Sequence, residues 1–371
     1  MRFNVFALAL IMAVVALAAP QESAVTHLDR GQALFAKGDL DGAIAEYREA
    51  LRLKPNFAEA HNNLGNALSG KGDLDGAIAE YREALRLKPD YVDAHYGLGF
   101  PLNAKGDQDG AIAELREALR LKPDYVDAHN NLGNALSDKG NVDGAIAEYR
   151  EALRLKPDDA DAHYNLGRAL DMKGDVNGAV AEYREALRLK PDYVGAHYNL
   201  GRALGMKGDL DGAIAELREA LRLKPDSVEA HNNLGNALKG KGDLNGATAE
   251  YREALRLKPD DADAHYNLGR ALGMKGDLDG AIAEYREALR LKPDSVEAHN
   301  NLGNALSDKG NVDGAIAEYR EALRLKPDKA EAHYNLGVAL KAEGKEDEAA
   351  REFAEAQRLN PKLTPPSNDP H

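Results

Sequence analysis

A Lys-Pro dipeptide that returns every 34 residues constrains this chain more than any other feature. Its prolines are Pro55, Pro89, Pro123, Pro157, Pro191, Pro225, Pro259, Pro293 and Pro327, and Asn360-Pro361 closes the series. Counting back from them gives ten units: residues 24–57, 58–91, 92–125, 126–159, 160–193, 194–227, 228–261, 262–295, 296–329 and 330–363. A unit this short cannot enclose a core of its own. It is stable only when stacked on its neighbours, so a fixed period in this range predicts a stacked-repeat array. The units take up nearly all of the 371 residues, leaving no stretch among them long enough for a second globular domain.

Each unit reads as two helices. The first follows Pro-Asp, as at Pro89-Asp90, and Asp93 three residues on completes a pattern like a capping box. It ends at Lys105-Gly106, where a basic last turn meets a C-terminal glycine. Asp107 or Asp109 starts the second helix, and the next Pro ends it because Pro cannot continue a helix. The Gly-Asp-x-Asp-Gly stretches, such as Gly208 to Gly212, pair acids as a calcium loop does. They lack the further oxygen ligands and closing Glu of such a loop, and are expected to be turns carrying an N-cap.

The spacing His61-x2-Leu64-Gly65-x2-Leu68, Ala77-x3-Tyr81-x2-Ala84, Pro89 resembles a tetratricopeptide repeat. His stands where that family often has Trp. The resemblance implies an all-α, right-handed superhelical solenoid of about ten helix-turn-helix repeats, with the first helices lining a concave groove. It implies a fold and not an activity.

Within a first helix the periodicity separates two faces. In the unit from Ala160, residues Ala162, His163, Leu166, Gly167, Ala169 and Leu170 share a stripe expected to pack on neighbouring helices. Gly167 on that stripe, with Ala179 and Ala186 on the second helix, permits close approach. The complementary stripe, Asp161, Tyr164, Asn165, Arg168 and Met172, faces the groove if the resemblance holds. An asparagine recurs there as Asn63, Asn131, Asn165, Asn199, Asn233, Asn267, Asn301 and Asn335, interrupted at Asp29 and Gly97. These Asn-Leu-Gly units look similar to the repeats of O-GlcNAc transferases, a likeness implying that the asparagines hold a peptide backbone. An amide offers a donor and an acceptor together and so matches a peptide group whatever its side chain. First helices about 8–10 Å apart would set one Asn against roughly every third residue of a strand rising about 3.3 Å per residue. The competing reading is that the asparagines bridge helices within the stack. Beside the ladder, Asn62/Asn66, Asn130/Asn134, Asn232/Asn236 and Asn300/Asn304 alternate with Tyr164/Arg168, Tyr198/Arg202 and Tyr266/Arg270. Tyr and Arg are frequent binding hot spots, and Arg clamps carboxylates. Asp161, Glu229, Asp263 and Glu297 on the same stripe offer them local partners instead.

Some segments depart from the pattern. Residues 1–18 join one Arg to an apolar run and small residues at Ala16-Leu17-Ala18, which reads as a signal peptide cut after Ala18. An uncleaved anchor is the alternative, although the run is shorter than the roughly 20 residues a span requires. Residues 19–23 are a linker, and the Pro-rich residues 364–371 are expected to be a disordered tail. Polar Asp29 and Arg30 suit an outer cap on the first unit, and the charged run Lys341 to Glu348 suits one on the tenth. Pro101, inside a first helix, is expected to kink it. Thr248 stands where most units have Ile.

The formal charge of −14 disfavours nucleic acid and anionic membranes as partners. With no Cys there is neither a disulfide nor a thiolate metal site. The histidines from His27 to His333 recur 34 residues apart, too far apart in a stack for two to share one metal, and are expected to pack. No nucleophile–base pair or phosphate loop is evident, so neither enzyme activity nor a cofactor is expected. The chain is expected to be an exported scaffold, periplasmic or extracellular, that binds an extended peptide or partner protein. The alternative is a structural part of a cell-envelope complex such as a pilus, polysaccharide export or outer-membrane assembly machine. The near-identity of the internal units leaves end-to-end self-association open.

Overall fold

The computed structural model describes residues 23–365, so the expected signal peptide and most of the expected tail lie outside the described residues. Those residues form twenty helices and no strand, in two compact units that divide after Leu189. The first unit holds α1 (Ala24–Ala36), α2 (Leu40–Leu53), α3 (Ala58–Gly70), α4 (Leu74–Leu87), α5 (Val92–Ala104), α6 (Gln108–Leu121), α7 (Val126–Asp138), α8 (Val142–Leu155), α9 (Ala160–Met172) and α10 (Val176–Leu189). The second holds α11 (Val194–Met206), α12 (Leu210–Leu223), α13 (Val228–Gly240), α14 (Leu244–Leu257), α15 (Ala262–Met274), α16 (Leu278–Leu291), α17 (Val296–Asp308), α18 (Val312–Leu325), α19 (Ala330–Ala342) and α20 (Glu346–Leu359). Odd-numbered helices are the first of each pair.

The turn inside each pair follows from three residues. Gly72 adopts φ +83°, a conformation that a Cβ penalises. Its N–H donates to the Ser69 carbonyl, and the Asp73 N–H donates to that of Leu68, each at 3.0 Å. This is a Schellman closure of α3. The Asp73 carboxylate then accepts the Gly76 N–H at 3.0 Å and caps α4. Asp209 does the same for α12, so the Gly-Asp-x-Asp-Gly stretches are capped turns. Such a cap stabilises a helix by about 1 kcal/mol.

The expected cap of the first helix is one residue out of place. Helix α5 begins at Val92, its N-cap is Tyr91, and no side chain caps it. The residue after Pro-Asp therefore holds the cap position, and Asp90 does not. Where that residue is polar it does cap: Asp159 accepts from Asp161 and Ala162, and Ser227 from Ala230. Pro101 leaves the bounds of α5 unchanged, because it sits in the last turn and its ring is buried.

Packing inside each pair depends on a large side chain laid over a helical glycine, an aromatic ring in eight pairs and Leu115 or Leu217 in the other two. A Cβ on Gly65 would fall 2.8 Å from the Tyr81 ring, so the ring touches the α3 backbone itself. Ala162, Leu166, Gly167, Ala169 and Leu170 are buried as their stripe requires, while Asp161, Arg168 and Met172 are exposed. Thr248 is buried too, and its hydroxyl donates to the Asn245 carbonyl at 2.9 Å. Within each unit, first helices of successive pairs touch one another directly. Among the described residues no two second helices do. Each unit is therefore tighter along its first-helix side, which is its inner face.

The ring hydroxyls separate two kinds of pair. Tyr149 donates to Asn134 at 2.7 Å, whereas the buried hydroxyl of Tyr183 has no partner. Tyr149→Phe should therefore cost about 1 kcal/mol in denaturant unfolding, while Tyr183→Phe should be neutral or slightly stabilising. Equal losses in the two variants would show that the tyrosine–asparagine bond carries no stability.

Candidate peptide-binding face

The stripe predicted to face a ligand lies on the first-helix side of both units. Its ladder asparagines are all half-buried. In the first unit, Asn63 accepts from Asn62 at 3.4 Å, and Asn131 bonds to Tyr96 of the preceding pair. Asn165 lines a cleft of about 290 Å³ with Asn131, Asn134 and Arg168. In the second unit, Asn233 Nδ2 donates to the Tyr198 hydroxyl at 3.0 Å, and Asn301 Nδ2 to that of Tyr266 at 3.1 Å. Asn335 donates to Asn300 and Asn304 at 3.1 and 3.0 Å. Asn267 accepts from Lys239 at 3.5 Å, and Asn199 is also engaged. Asn131, Asn233, Asn267, Asn301 and Asn335 thus tie successive first helices together. The bonds from Asn233 and Asn301 occupy the amide nitrogen and leave the carbonyl oxygen to accept from another group.

In two of the three Tyr/Arg pairs the guanidinium lies over the ring. The Arg168 guanidinium lies 5.8 Å from the Tyr164 ring centre, and that of Arg270 lies 5.9 Å from Tyr266. Arg202 reaches Met206 Sδ at 3.6 Å. The second-helix rings lie beneath, with Tyr164 6.1 Å from Tyr183 and Tyr266 6.0 Å from Tyr285. The acids on the stripe do not neutralise Arg168 or Arg270: Glu297 approaches Lys329 instead, at 4.0 Å. Exposed Met206 and Met274 flank two matching clefts of about 250 and 280 Å³, lined by Arg202 and Asn236 and by Arg270 and Asn304. Such a wall presents amide acceptors, guanidinium donors and thioether surface side by side.

The histidines do more than pack. His95 Nδ1 bonds to the Glu114 carboxylate at 2.6 Å and Nε2 to the Pro89 carbonyl at 2.9 Å. The same clamp joins His61 to Glu80 and Pro55, and His299 to Glu318 and Pro293. Both partners only accept, so both ring nitrogens carry protons when both bonds form, and the imidazolium is favoured. The Glu114 bond raises the His95 pKa against burial. For His61 and His299, burial is the largest single influence and pushes down, but the glutamate and carbonyl bonds together outweigh it. Reading the sequence missed this clamp, although a Glu stands 19 residues after every such His, from Glu46 to Glu352. Among the described residues no group of three or more metal-ligating side chains converges.

Two stacks of helix pairs, each presenting an inner face of amides and Tyr/Arg pairs, make an interaction scaffold. Family models described as "TPR repeat" match residues 31–72, 70–100, 102–140, 133–174, 172–208, 206–242, 235–276, 274–310 and 303–344, and one described as "Tetratricopeptide repeat" matches 330–363. The chain belongs to the tetratricopeptide repeat family, whose members bind proteins or peptides and are typically not enzymes. A search of curated proteins finds no match. Among solved structures, MamA is 30% identical over 44% of this chain and 95% of its own, with a TM-score of 0.42. YrrB, described as "a TPR protein with an unusual peptide-binding site", is 23% identical over 53% of this chain and 97% of its own, at 0.45. A tetratricopeptide repeat protein from Parabacteroides merdae is 17% identical over 67% of this chain and 98% of its own, at 0.50, a likeness of fold. No helix among the described residues is long and apolar enough to cross a membrane.

The clamps impose a pH dependence. A histidine whose folded pKa exceeds its ordinary 6.5 contributes stability that is fully present below 6.5 and lost as pH rises through the raised value. The melting temperature should therefore fall between pH 6 and pH 8.5. Replacing Glu80, Glu114 and Glu318 with Gln should flatten that slope; an unchanged slope would rule the clamps out as its cause.

Proposed function

We propose that the inner face binds an extended segment of a partner protein, and that the protein is exported to do so. The observation that carries this reading is the register of the polar and aromatic groups. Asn side chains recur at the 34-residue period, and Tyr/Arg pairs in three of the repeats, on the side of each unit where successive helices lie closest. A peptide running across these helices would meet the carbonyl oxygens of Asn233 and Asn301, which their tyrosine bonds leave to accept, and offer them backbone N–H groups. The Tyr/Arg pairs then supply side-chain preference at Tyr164/Arg168, Tyr198/Arg202 and Tyr266/Arg270. The asparagine bonds to preceding tyrosines support this role, because they fix the amide before a ligand arrives and reduce the ordering cost of binding.

The test is capture from a cell-envelope extract. The chain from Ala19 onward serves as one bait, and a second bait carries Ala at Asn165, Asn199, Asn233 and Asn267. A partner retained by the first and lost by the second, at unchanged helicity, is the expected result. The same partner on both baits would move the contact to the outer face or the end units.

Export rests on the first eighteen residues. Expressed with that segment intact in a secretion-competent cell, the protein should be recovered with a mass that begins at Ala19. A full-length mass in the membrane fraction would indicate an anchor instead.

A further inference from the structure

The second helices carry a row of exposed cations that the chain itself does not match. In α4 the exposed stripe is Asp75, Ala79, Arg82 and Arg86. Asp75 pairs with Lys105, Glu80 with His61, and Glu83 with Arg86. Every acid of the helix is thus engaged. Arg82 is left over, with no ion pair or side-chain hydrogen bond among the described residues. Arg48, Arg116 and Arg150 repeat this in the first unit, and Arg218, Arg252 and Arg286 in the second. Arg116 lines a cleft of about 400 Å³ with Ala113 and the Gly140-Asn141 turn that opens α8. Asp109 lines it too, but its carboxylate is held by Lys139 on the same cleft.

One carboxylate already sits on this row. In the last repeat Glu348 stands where others carry Gly76, Gly110, Gly144 or Gly314, and it accepts from Arg320 at 3.0 Å. A side-chain cap excludes a glutamate from the other repeats. A Cβ on Gly110 would fall 2.5 Å from the Asp107 carboxylate that caps α6. The last repeat has Lys345 at the cap position and no side-chain cap, so it admits Glu348. The cap therefore leaves the interior arginines without a partner from the next repeat.

We propose that the arginine row of each unit binds an extended acidic segment of a partner protein, whose glutamates or aspartates take the place that Glu348 takes on Arg320. The row lies on the second helices and does not depend on the reading of the asparagine face.

Spacing decides the kind of ligand. Within a unit successive second helices do not touch, so the arginines lie further apart than the roughly 8–10 Å of packed helices. A segment rising about 3.3 Å per residue would match them with an acid at roughly every third or fourth position. A nucleic acid strand carries a charge about every 3.4 Å, so most of its phosphates would stay unmatched beside a chain of net charge −14. One exposed arginine–carboxylate pair is weak, and affinity comes from engaging several in register on one segment.

The test titrates fluorescent peptides with the full chain and reads anisotropy. One peptide carries glutamate at every fourth position of a Gly/Ser background. A second clusters the same glutamates at one end, and a third replaces them with Gln. The spaced peptide should bind saturably and weaken as salt rises, with the other two at least tenfold weaker. A chain with Gln at Arg48, Arg82, Arg116, Arg150, Arg218, Arg252 and Arg286 should bind the spaced peptide at least tenfold more weakly at unchanged helicity. The chain with Ala at Asn165, Asn199, Asn233 and Asn267 should bind it as the parent does. Equal binding of the clustered peptide, retention by the arginine variant, or loss in the asparagine variant would overturn the proposal. A polyuronate or a single-stranded oligonucleotide that binds more tightly than the spaced peptide would overturn the assignment to a protein segment.

Discussion

Each helix pair depends on how near a second-helix side chain, a ring in eight of the ten, can come to a first-helix glycine. The Tyr81 ring occupies the space a Cβ on Gly65 would need, and Leu115 stands in the same relation to Gly99. That contact sets the spacing within a pair, and the spacing in turn decides which side chains are buried. Small residues such as Ala77 and Ala84 follow from it, being fully buried where the helices are closest. Displaced from that seam, the tyrosine hydroxyl reaches an asparagine on the inner face, as Tyr81 reaches Asn66 at 2.7 Å. The core and the candidate binding face therefore share one set of residues.

Polar ties also join neighbouring repeats. Asn233 reaches back to Tyr198, Lys71 pairs with Asp41 and Lys139 with Asp109. The lysine–aspartate pairs are exposed, and such pairs contribute little energy each. Their regularity matters more, because each links the end of one first helix to the first turn of the preceding second helix. The histidine clamp also crosses the repeat boundary, holding the carbonyl of the preceding repeat's Lys-Pro segment against the second helix, as His61 holds Pro55.

Most of the fold was legible in the sequence because period and glycine placement are local signals. The helix pairs, the capped Gly-Asp turns and the buried stripe of α9 all lie where spacing alone put them. What escaped has a common character. Asp90 looked like a cap by residue type, but backbone geometry gives that place to Tyr91. The His–Glu clamp joins residues 19 positions apart on different helices, a separation that no helical or strand period marks. The candidate site was half legible. Its face followed from periodicity, but the bonds that engage Asn233 and Asn301 depend on how far apart neighbouring repeats sit.

Asp73 closes α3 through its backbone N–H and opens α4 through its carboxylate. Two helix ends are thereby anchored to a single residue, and the same holds at Asp209. One residue added to or removed from such a turn would undo both ends together, whereas a whole unit of 34 added at a repeat boundary undoes neither. A chain built this way lengthens by duplication and not by drift. The internal copies, Val126–Asp159 and Val296–Lys329 among them, fit that mode of growth, and the length of the stack rises in steps of one repeat.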